Sequence, residues 1–297
     1  MQEKIPNDKR DLPYGSAFAI SDSDTSKIVN SSLNLSCLND NNIVDDFLKL
    51  HRKWVSTSKL NTVIGLDNFN YQCYSNGTSE GFDKFYLRNK HRRFRCFNGE
   101  YLYHKLAWRD GFNWEYITDL DIDDNDAVVI SLPFADTGNC HVQYRDLLSK
   151  CDRLGVPVLV DCAYFGICRN TQFDFSYSCI TDIMFSLSKT FPVANARIGV
   201  RYSRKDTDDT LFVYKKIDYV NRIGAYLGTR FLKNFSPDYI PNKYKAMQKD
   251  FCEELNVTAS STVLFGIAET GWPEYNRGGD TSRLSFHKQY SESQKGM

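Results

Sequence analysis

The 297-residue sequence has little that points to a membrane, to secretion or to nucleic acid. No apolar run approaches the roughly eighteen residues of a membrane span, and residues 1–8 lack the apolar segment of a signal peptide. Lysine plus arginine and aspartate plus glutamate both number 37, and a net charge of zero favours neither nucleic acid nor an anionic membrane. We therefore expect a cytoplasmic protein without nucleic-acid or membrane partners.

Patterns typical of metal sites and disulfide frameworks are also missing. The nine cysteines include no Cys-x-x-Cys pair, which argues against a disulfide framework or a zinc ribbon and favours free thiols. The five histidines are dispersed, and the acidic run 121–126 lacks the glycine and distal glutamate of a calcium loop. We expect no metal. The basic run 91–95 is interpreted as the solvated end of a helix.

From about residue 125 the sequence alternates between short apolar runs and helical periodicity. This alternation predicts a doubly wound, mainly parallel α/β sheet, whose ligands bind at the carboxyl ends of the strands. Asp161 and Ser186 fall at two such ends, so we expect them to face one crevice. The predicted strands are 127–132, 156–160, 180–186 and 198–202, with a helix over 143–154 that Gly155 ends.

The flanking regions are less regular. Residues 1–44 are interpreted as an irregular arm, and 211–231 as one long helix or two. We predict a large domain over 45–225 and a smaller one from 1–44 plus 226–297. The remaining predicted elements are a helix over 43–55, a strand over 62–66, a helix that opens at Gly77 and a strand over 282–286.

An amine, an acid and an arginine occur in a suggestive order. Lys189 ends Ser186-Leu187-Ser188-Lys189, Asp161 ends an apolar strand upstream, and Arg197 follows eight positions after the lysine. A buried carboxylate suits the protonated ring nitrogen of pyridoxal phosphate (PLP), and the amine suits a covalent imine with it. Each residue alone has an ordinary alternative, since most lysines are solvated and an acid after a strand often caps the next element.

Two further segments of the sequence offer hydrogen-bond donors that suit a phosphate group. Ser186 and Ser188 offer hydroxyl groups and Arg197 a bidentate guanidinium. Gly77-Thr78-Ser79 lies at a predicted helix start, where backbone N–H groups and the helix dipole favour anions. The alternative for this second segment is a simple helix cap.

Taken in order, these motifs resemble the fold-type I, class I/II aminotransferases, which have the aspartate aminotransferase-like fold of PLP-dependent transferases. The matching segments are Gly77-Thr78-Ser79-Glu80-Gly81, Asp161-Cys162-Ala163-Tyr164, Ser186-Leu187-Ser188-Lys189 and Arg197-Ile198-Gly199. The resemblance implies Lys189 as the Schiff-base lysine, Asp161 as the partner of the pyridine nitrogen and Tyr164 as the partner of the 3-oxygen. It implies that Gly77, Thr78, Ser79, Ser186, Ser188 and Arg197 surround the phosphate.

Two softer matches complete the implied site. Tyr101 lies where the family places an aromatic ring against the cofactor, with Tyr103 as the competing candidate and ordinary packing as the alternative. Arg283 resembles the late arginine that binds the substrate α-carboxylate, and a surface arginine on a strand is the alternative.

The sequence departs from the family at Pro133–Asn139. The asparagine that usually contacts the 3-oxygen aligns with Ala135, and Asn139 or Asp136 is left as a replacement. Only 94 residues separate Lys189 from Arg283 (283 − 189), which implies a reduced small α/β domain.

The resemblance implies a homodimeric, PLP-dependent aminotransferase that acts on an amino acid and a 2-oxo acid. Because of the departure at Ala135, a PLP-dependent decarboxylase or lyase of the same fold remains an alternative. A non-catalytic binding or regulatory protein with this fold is a third.

Overall fold

The computed structural model describes residues 11–108 and 111–294. The expectation about a leader falls on residues 1–8, outside the described part. The strands are β1 (Thr62–Ile64), β2 (Tyr71–Asn76), β3 (Arg93–Cys96), β4 (Trp114–Tyr116), β5 (Asp126–Ser131), β6 (Val158–Cys162), β7 (Gln172–Asp174), β8 (Ile180–Ser186), β9 (Ile198–Ser203), β10 (Thr258–Ala259), β11 (Phe265–Ala268) and β12 (Ser282–Ser285).

Helices surround these strands. They are α1 (Ser23–Asn30), α2 (Ile43–Ser56), α3 (Thr78–Arg88), α4 (Leu102–Trp108), α5 (Tyr144–Leu154), α6 (Thr210–Lys216), α7 (Arg222–Asn234), α8 (Tyr239–Glu254) and α9 (His287–Ser293). Short 3₁₀ turns lie at Leu35–Asn39, Leu66–Asn68, Phe165–Ile167, Ala194–Ala196 and Pro273–Tyr275. No helix of the described residues is long and apolar enough to cross a membrane.

A central sheet of seven strands dominates the described residues, in the order β2-β9-β8-β6-β5-β3-β4. The strands from β8 to β4 run parallel, whereas β9 is antiparallel to both β8 and β2. All residues of β5 and β6 are buried, as expected for parallel strands that are covered on both faces. The prediction of a doubly wound, mainly parallel α/β sheet is therefore confirmed.

The register of this sheet gathers the predicted site residues at one edge. Ser131 at the end of β5 is opposite Asp161 on β6, and Ser186 at the end of β8 is opposite Gly199. Because β9 and β2 are antiparallel, Asn76 at the end of β2 is opposite Ile198 at the start of β9. Gly77 and Arg197 follow and precede that pair, so they lie at the same edge.

A smaller layer covers this edge. It consists of the antiparallel sheet β10-β11-β12, with α8, α9 and arm residues packed into its own core. Helix α7 instead packs against α2 in the large core, through Phe231 and Phe47 among others. The division of the chain at residue 225 stays a prediction.

Two segments differ from their prediction, and a third decides between two alternatives that the sequence left open. The arm contains a helix, α1, which Asp22 caps by accepting hydrogen bonds from two backbone N–H groups. Segment 211–231 forms two helices, and Asp218 with a φ of +60° lies between them. The basic run 91–95 is wrong as a solvated helix end, since Arg93–Cys96 is a strand and Arg95 is fully buried against Asp126 at 3.1 Å.

Candidate active site

Lys189 follows the end of β8 and lies beneath the N-terminal arm. Its Nζ donates a hydrogen bond to the carbonyl oxygen of Ala17 and lies 5.5 Å from the ring centre of Phe18. Burial lowers the pKa of the Lys189 amine to about 8, and the positive charges of Arg283 and Arg277 act in the same direction. A substantial fraction of this amine is therefore neutral and nucleophilic near physiological pH.

Asp161 is the buried acid of the site. Its carboxylate accepts a hydrogen bond from the backbone N–H of Ala163 at 3.1 Å, and no ion pair reaches it within the described part of the chain. Burial, together with the neighbouring carboxyl group of Glu100, raises the pKa of Asp161 to about 8. A cationic N–H would be a fitting partner for this carboxyl group.

Glu100 is a second buried acid, which the sequence did not single out. Its carboxylate accepts hydrogen bonds from the backbone N–H and the hydroxyl of Ser131 and from the N–H of Tyr101 at 3.3 Å. Burial raises its pKa to about 7 in spite of these bonds. Its position directly before Tyr101 is the only signal that the sequence offers.

Arg283 on β12 reaches the same edge from the smaller layer. Its Nη1 donates to the carbonyl oxygen of Ala135 at 2.6 Å and to the hydroxyl of Tyr164 at 3.3 Å, and its guanidinium lies 4.3 Å from the ring centre of Phe265. Arg283 is only 5% exposed, so the alternative of a surface arginine is wrong. Tyr164, three residues after Asp161, is half-buried beside it.

Gly77 and Arg197 form a close contact at the same edge of the sheet. Gly77 has a φ of +78°, and a Cβ atom built there would lie 2.3 Å from Nη2 of Arg197. That Nη2 donates to the carbonyl oxygen of Asn76 at 3.1 Å. The guanidinium thus lies beside the first turn of α3, where Thr78 and Ser79 present backbone N–H groups.

The two serines before Lys189 bind each other. Ser186 Oγ and Ser188 Oγ are 3.0 Å apart, and the backbone N–H of Ser188 donates to Ser186 Oγ at 3.1 Å. Both side chains are buried. The turn that carries Lys189 is therefore held by its own hydroxyl groups.

Tyr101 and Tyr103 have different surroundings. Tyr101 is 43% exposed, and burial together with the charge of Asp161 raises the pKa of its hydroxyl. Tyr103 donates to Asp83 on α3 at 2.8 Å, and the two rings stack with their centres 6.1 Å apart. The geometry therefore favours Tyr101 as the ring that faces the pocket.

Neither proposed replacement for the family asparagine is free to act. Asn139 Oδ1 accepts from the backbone N–H of Ser261 at 2.7 Å, and Asp136 faces the guanidinium of Arg277 at 3.6 Å. Ala135 contributes only backbone groups, since its N–H donates to Ser131 Oγ at 2.8 Å and its oxygen accepts from Arg283. Of the side chains predicted to meet the cofactor 3-oxygen, Tyr164 is the one whose hydroxyl the structure places beside Arg283.

The fold at this edge is that of the PLP-dependent transferases of the aspartate aminotransferase type. The chain is similar to the histidinol-phosphate aminotransferase from Clostridium acetobutylicum, with 16% identity, a TM-score of 0.64 and 96% of this chain and 99% of that chain covered. It is similar to an alanine aminotransferase from Pyrococcus furiosus, with 12% identity, a TM-score of 0.59 and coverage of 95% and 93%.

A decarboxylase has the same fold. The L-threonine-O-3-phosphate decarboxylase from Porphyromonas gingivalis matches with 15% identity, a TM-score of 0.60 and coverage of 94% and 98%. No protein-family model matches the sequence, and no curated protein is significantly similar to it. At these identities the comparisons show the fold and leave the reaction open.

The residues present fit PLP. Gly77 leaves room for the guanidinium of Arg197 at a helix start, which is a cradle for a phosphate. Asp161 is a buried carboxyl group without a cation bonded to it among the described residues, as a ring N–H requires. Lys189 is a desolvated amine within the electrostatic reach of Asp161.

Proposed function

We propose that this chain is a cytoplasmic, PLP-dependent aminotransferase that moves an amino group between an amino acid and a 2-oxo acid. One juxtaposition supports the proposal most directly. Lys189, with its lowered pKa, lies within electrostatic reach of the buried acid Asp161 and the buried arginine Arg283. An amine, a pyridinium partner and a carboxylate ligand are the groups that this reaction requires.

Each side chain has a separate role in this proposal. Arg197 and the N–H groups of Thr78 and Ser79 hold the phosphate, and Asp161 holds a proton between itself and the ring nitrogen. When bound, PLP supplies an electron sink that stabilises negative charge at the substrate α-carbon. Lys189 would hold the cofactor through its amine, and the same amine, once the amino group of the substrate has replaced it there, would move the α-proton as base and acid.

Arg283 would orient the substrate. Its Nη1 is already fixed by Ala135 and Tyr164, so the guanidinium is positioned before a carboxylate arrives. Tyr164 accepts from Arg283 and retains its hydroxyl proton for the cofactor 3-oxygen, which links the substrate and cofactor sites.

A homodimer is part of the proposal. Leu38, Ile217 and Tyr219 are 46%, 54% and 76% exposed, and Arg222 bonds to both Leu38 and Asp218, which brings this apolar surface together. Sedimentation of the purified protein as a single 34.3 kDa species would contradict the dimer.

The test of the function is a product assay. Purified protein is incubated with PLP, a panel of amino acids and a 2-oxo acid acceptor, and the new amino acid and new 2-oxo acid are quantified together. We expect them in equal amounts, because amino transfer conserves the amino group. A protein that shows no change in the absorption spectrum of added PLP would contradict every PLP-dependent function.

The pH dependence of PLP attachment should report the pKa of Lys189. Only the neutral amine attacks, so at fixed PLP the attachment rate should rise about tenfold per pH unit up to pH 8 and then level off. Borohydride trapping between pH 6 and 10, followed by peptide mass analysis, measures this rate. A rate that continues to rise to pH 10, as for a solvated lysine peptide, would contradict the lowered pKa.

A decarboxylase is the second candidate, because the family asparagine is replaced by Ala135 and a decarboxylase is among the structures with this fold. Release of CO₂ from an amino acid without formation of a 2-oxo acid, in the same assay, would favour it over the aminotransferase.

A further inference from the structure

Arg277 is a second arginine of the smaller layer that faces the Lys189 pocket. It lies six residues before Arg283, in the loop between the 3₁₀ turn Pro273–Tyr275 and β12. Its positive charge acts on Lys189, Arg283 and Glu100, which all lie in that pocket. The roles implied by the family resemblance do not use this residue.

The loop that carries Arg277 is held in place. Asn276 Nδ2 donates to the carbonyl oxygens of Gly279 and Thr281 at 2.8 and 3.1 Å, and Asn276 also bridges to Ser282. Asn98 donates to the carbonyl oxygen of Gly278, which fastens the loop to the large domain. The backbone that carries Arg277 is therefore held in place before an anion arrives, which lowers the entropic cost of binding it.

Most donors of Arg277 are unused. Its Nε lies 3.6 Å from Asp136 Oδ1, which is longer than a hydrogen bond, and within the described residues it makes no hydrogen bond. The Arg277 side chain is 24% exposed. Arg283, by contrast, has Nη1 fixed by two acceptors.

The residues that Arg283 and Arg277 face are consecutive in the chain. Arg283 bonds to the carbonyl oxygen of Ala135, and Arg277 faces the carboxylate of Asp136. Two guanidinium groups thus lie near the same short segment, close enough for the charge of one to act on the other. Arg197, which lies beside Gly77, is assigned to the cofactor phosphate.

We infer that the substrate carries a second anionic group on its side chain, a carboxylate or a phosphate, and that Arg277 binds it while Arg283 binds the α-carboxylate. The inference rests on the proposed function for the reaction. A neutral side chain would leave the Arg277 donors without acceptors in a largely enclosed place, so acidic substrates are selected over their neutral analogues.

The experiment compares acidic and neutral substrates of equal size. Glutamate, aspartate and O-phosphoserine are measured against glutamine, asparagine and serine in the wild type, in Arg277→Gln and in the surface control Arg153→Gln. We expect the wild type to prefer an acidic member in kcat/KM, and R277Q to lower that preference roughly 10- to 100-fold. R277K should retain part of it, and R153Q all of it. A preference for glutamate or aspartate indicates a side-chain carboxylate, and a preference for O-phosphoserine indicates a phosphate.

A second readout does not need the reaction. Calorimetric titration of cofactor-free protein with glutarate and with butyrate should show that glutarate binds more tightly and that R277Q loses roughly tenfold of this advantage. Asp136→Asn, which removes the competing carboxylate, should retain the advantage.

The outcomes separate the inference from the proposed function. Arg277-dependent glutarate binding without turnover of any amino acid would uphold the anion site and contradict the aminotransferase. Turnover with equal preference in wild type and R277Q, or a lower melting temperature as the only effect of R277Q, would overturn the anion site and leave the aminotransferase standing.

Discussion

Lys189→Ala is expected to abolish amino transfer, with a loss of at least roughly 10³-fold in kcat, because it removes both the amine that bonds to PLP and the group that moves the α-proton. The fold should remain, since the side chain removed is a partly buried cation whose charged form is disfavoured by burial. The measurements are the transfer assay, borohydride trapping of PLP and a thermal melting curve.

Two companion variants sharpen this test. Lys189→Arg keeps the positive charge but cannot supply a neutral amine, so it should be as inactive as the alanine variant. Lys49→Ala removes an exposed lysine on α2 and should retain wild-type activity and trapping. If Lys189→Ala still traps PLP at one site, the reactive lysine lies elsewhere in the chain.

Asp161→Asn is expected to lower amino transfer while raising the stability of the cofactor-free protein. The activity should fall by roughly 10²- to 10³-fold, which is the usual cost of removing one preorganised partner of developing charge. An amide at position 161 does not keep the ring nitrogen protonated, so the electron sink is weakened.

The stability effect has a definite sign and pH range. The pKa of Asp161 is about 8 in the folded chain and about 4 in an unfolded one. Between these values the folded state binds more protons, so wild-type stability falls as pH rises, by about 1.4 kcal/mol per unit. The asparagine variant lacks this loss, so its advantage should grow from pH 4 to pH 8.

Urea unfolding of cofactor-free protein at pH 5, 6, 7 and 8 measures this advantage. Asp250→Asn, an exposed position on α8, is the matched control and should follow the wild type at every pH. Glu100 titrates in both proteins, because its pKa is raised by its own burial. A variant that loses stability relative to wild type as pH rises would contradict the raised pKa of Asp161.

Much of the central sheet and its helices was predictable because their signals are local. The apolar run before Asp161 and the periodicity before Gly155 predicted β6 and α5 to within about two residues, since burial on both faces and a glycine at the helix end leave direct marks in sequence. The motif around Lys189 also led to the correct fold class. The roles assigned to the site residues stay predictions until the variants are measured.

The interior charges were not predictable in the same way. The basic run 91–95 has the composition of a solvated segment. Arg95 is nevertheless buried, because Asp121 and Asp126, about 30 residues later in the chain, form ion pairs with its guanidinium. Arg277 has no sequence signal of a site, and Glu100 has only its position directly before Tyr101. Their positions depend on pairings with Ser131 and Asp136, which are distant in the chain.

The sequence by itself therefore determined the class of fold, the central strands and the order of an amine, an acid and an arginine along the chain. Only the tertiary structure decided which of these groups share a pocket and in what electrostatic state. The reason is that a pKa of about 8 for both Lys189 and Asp161 arises from burial and from neighbours such as Glu100, Arg277 and Arg283, which the chain brings together only when the smaller layer covers the sheet edge.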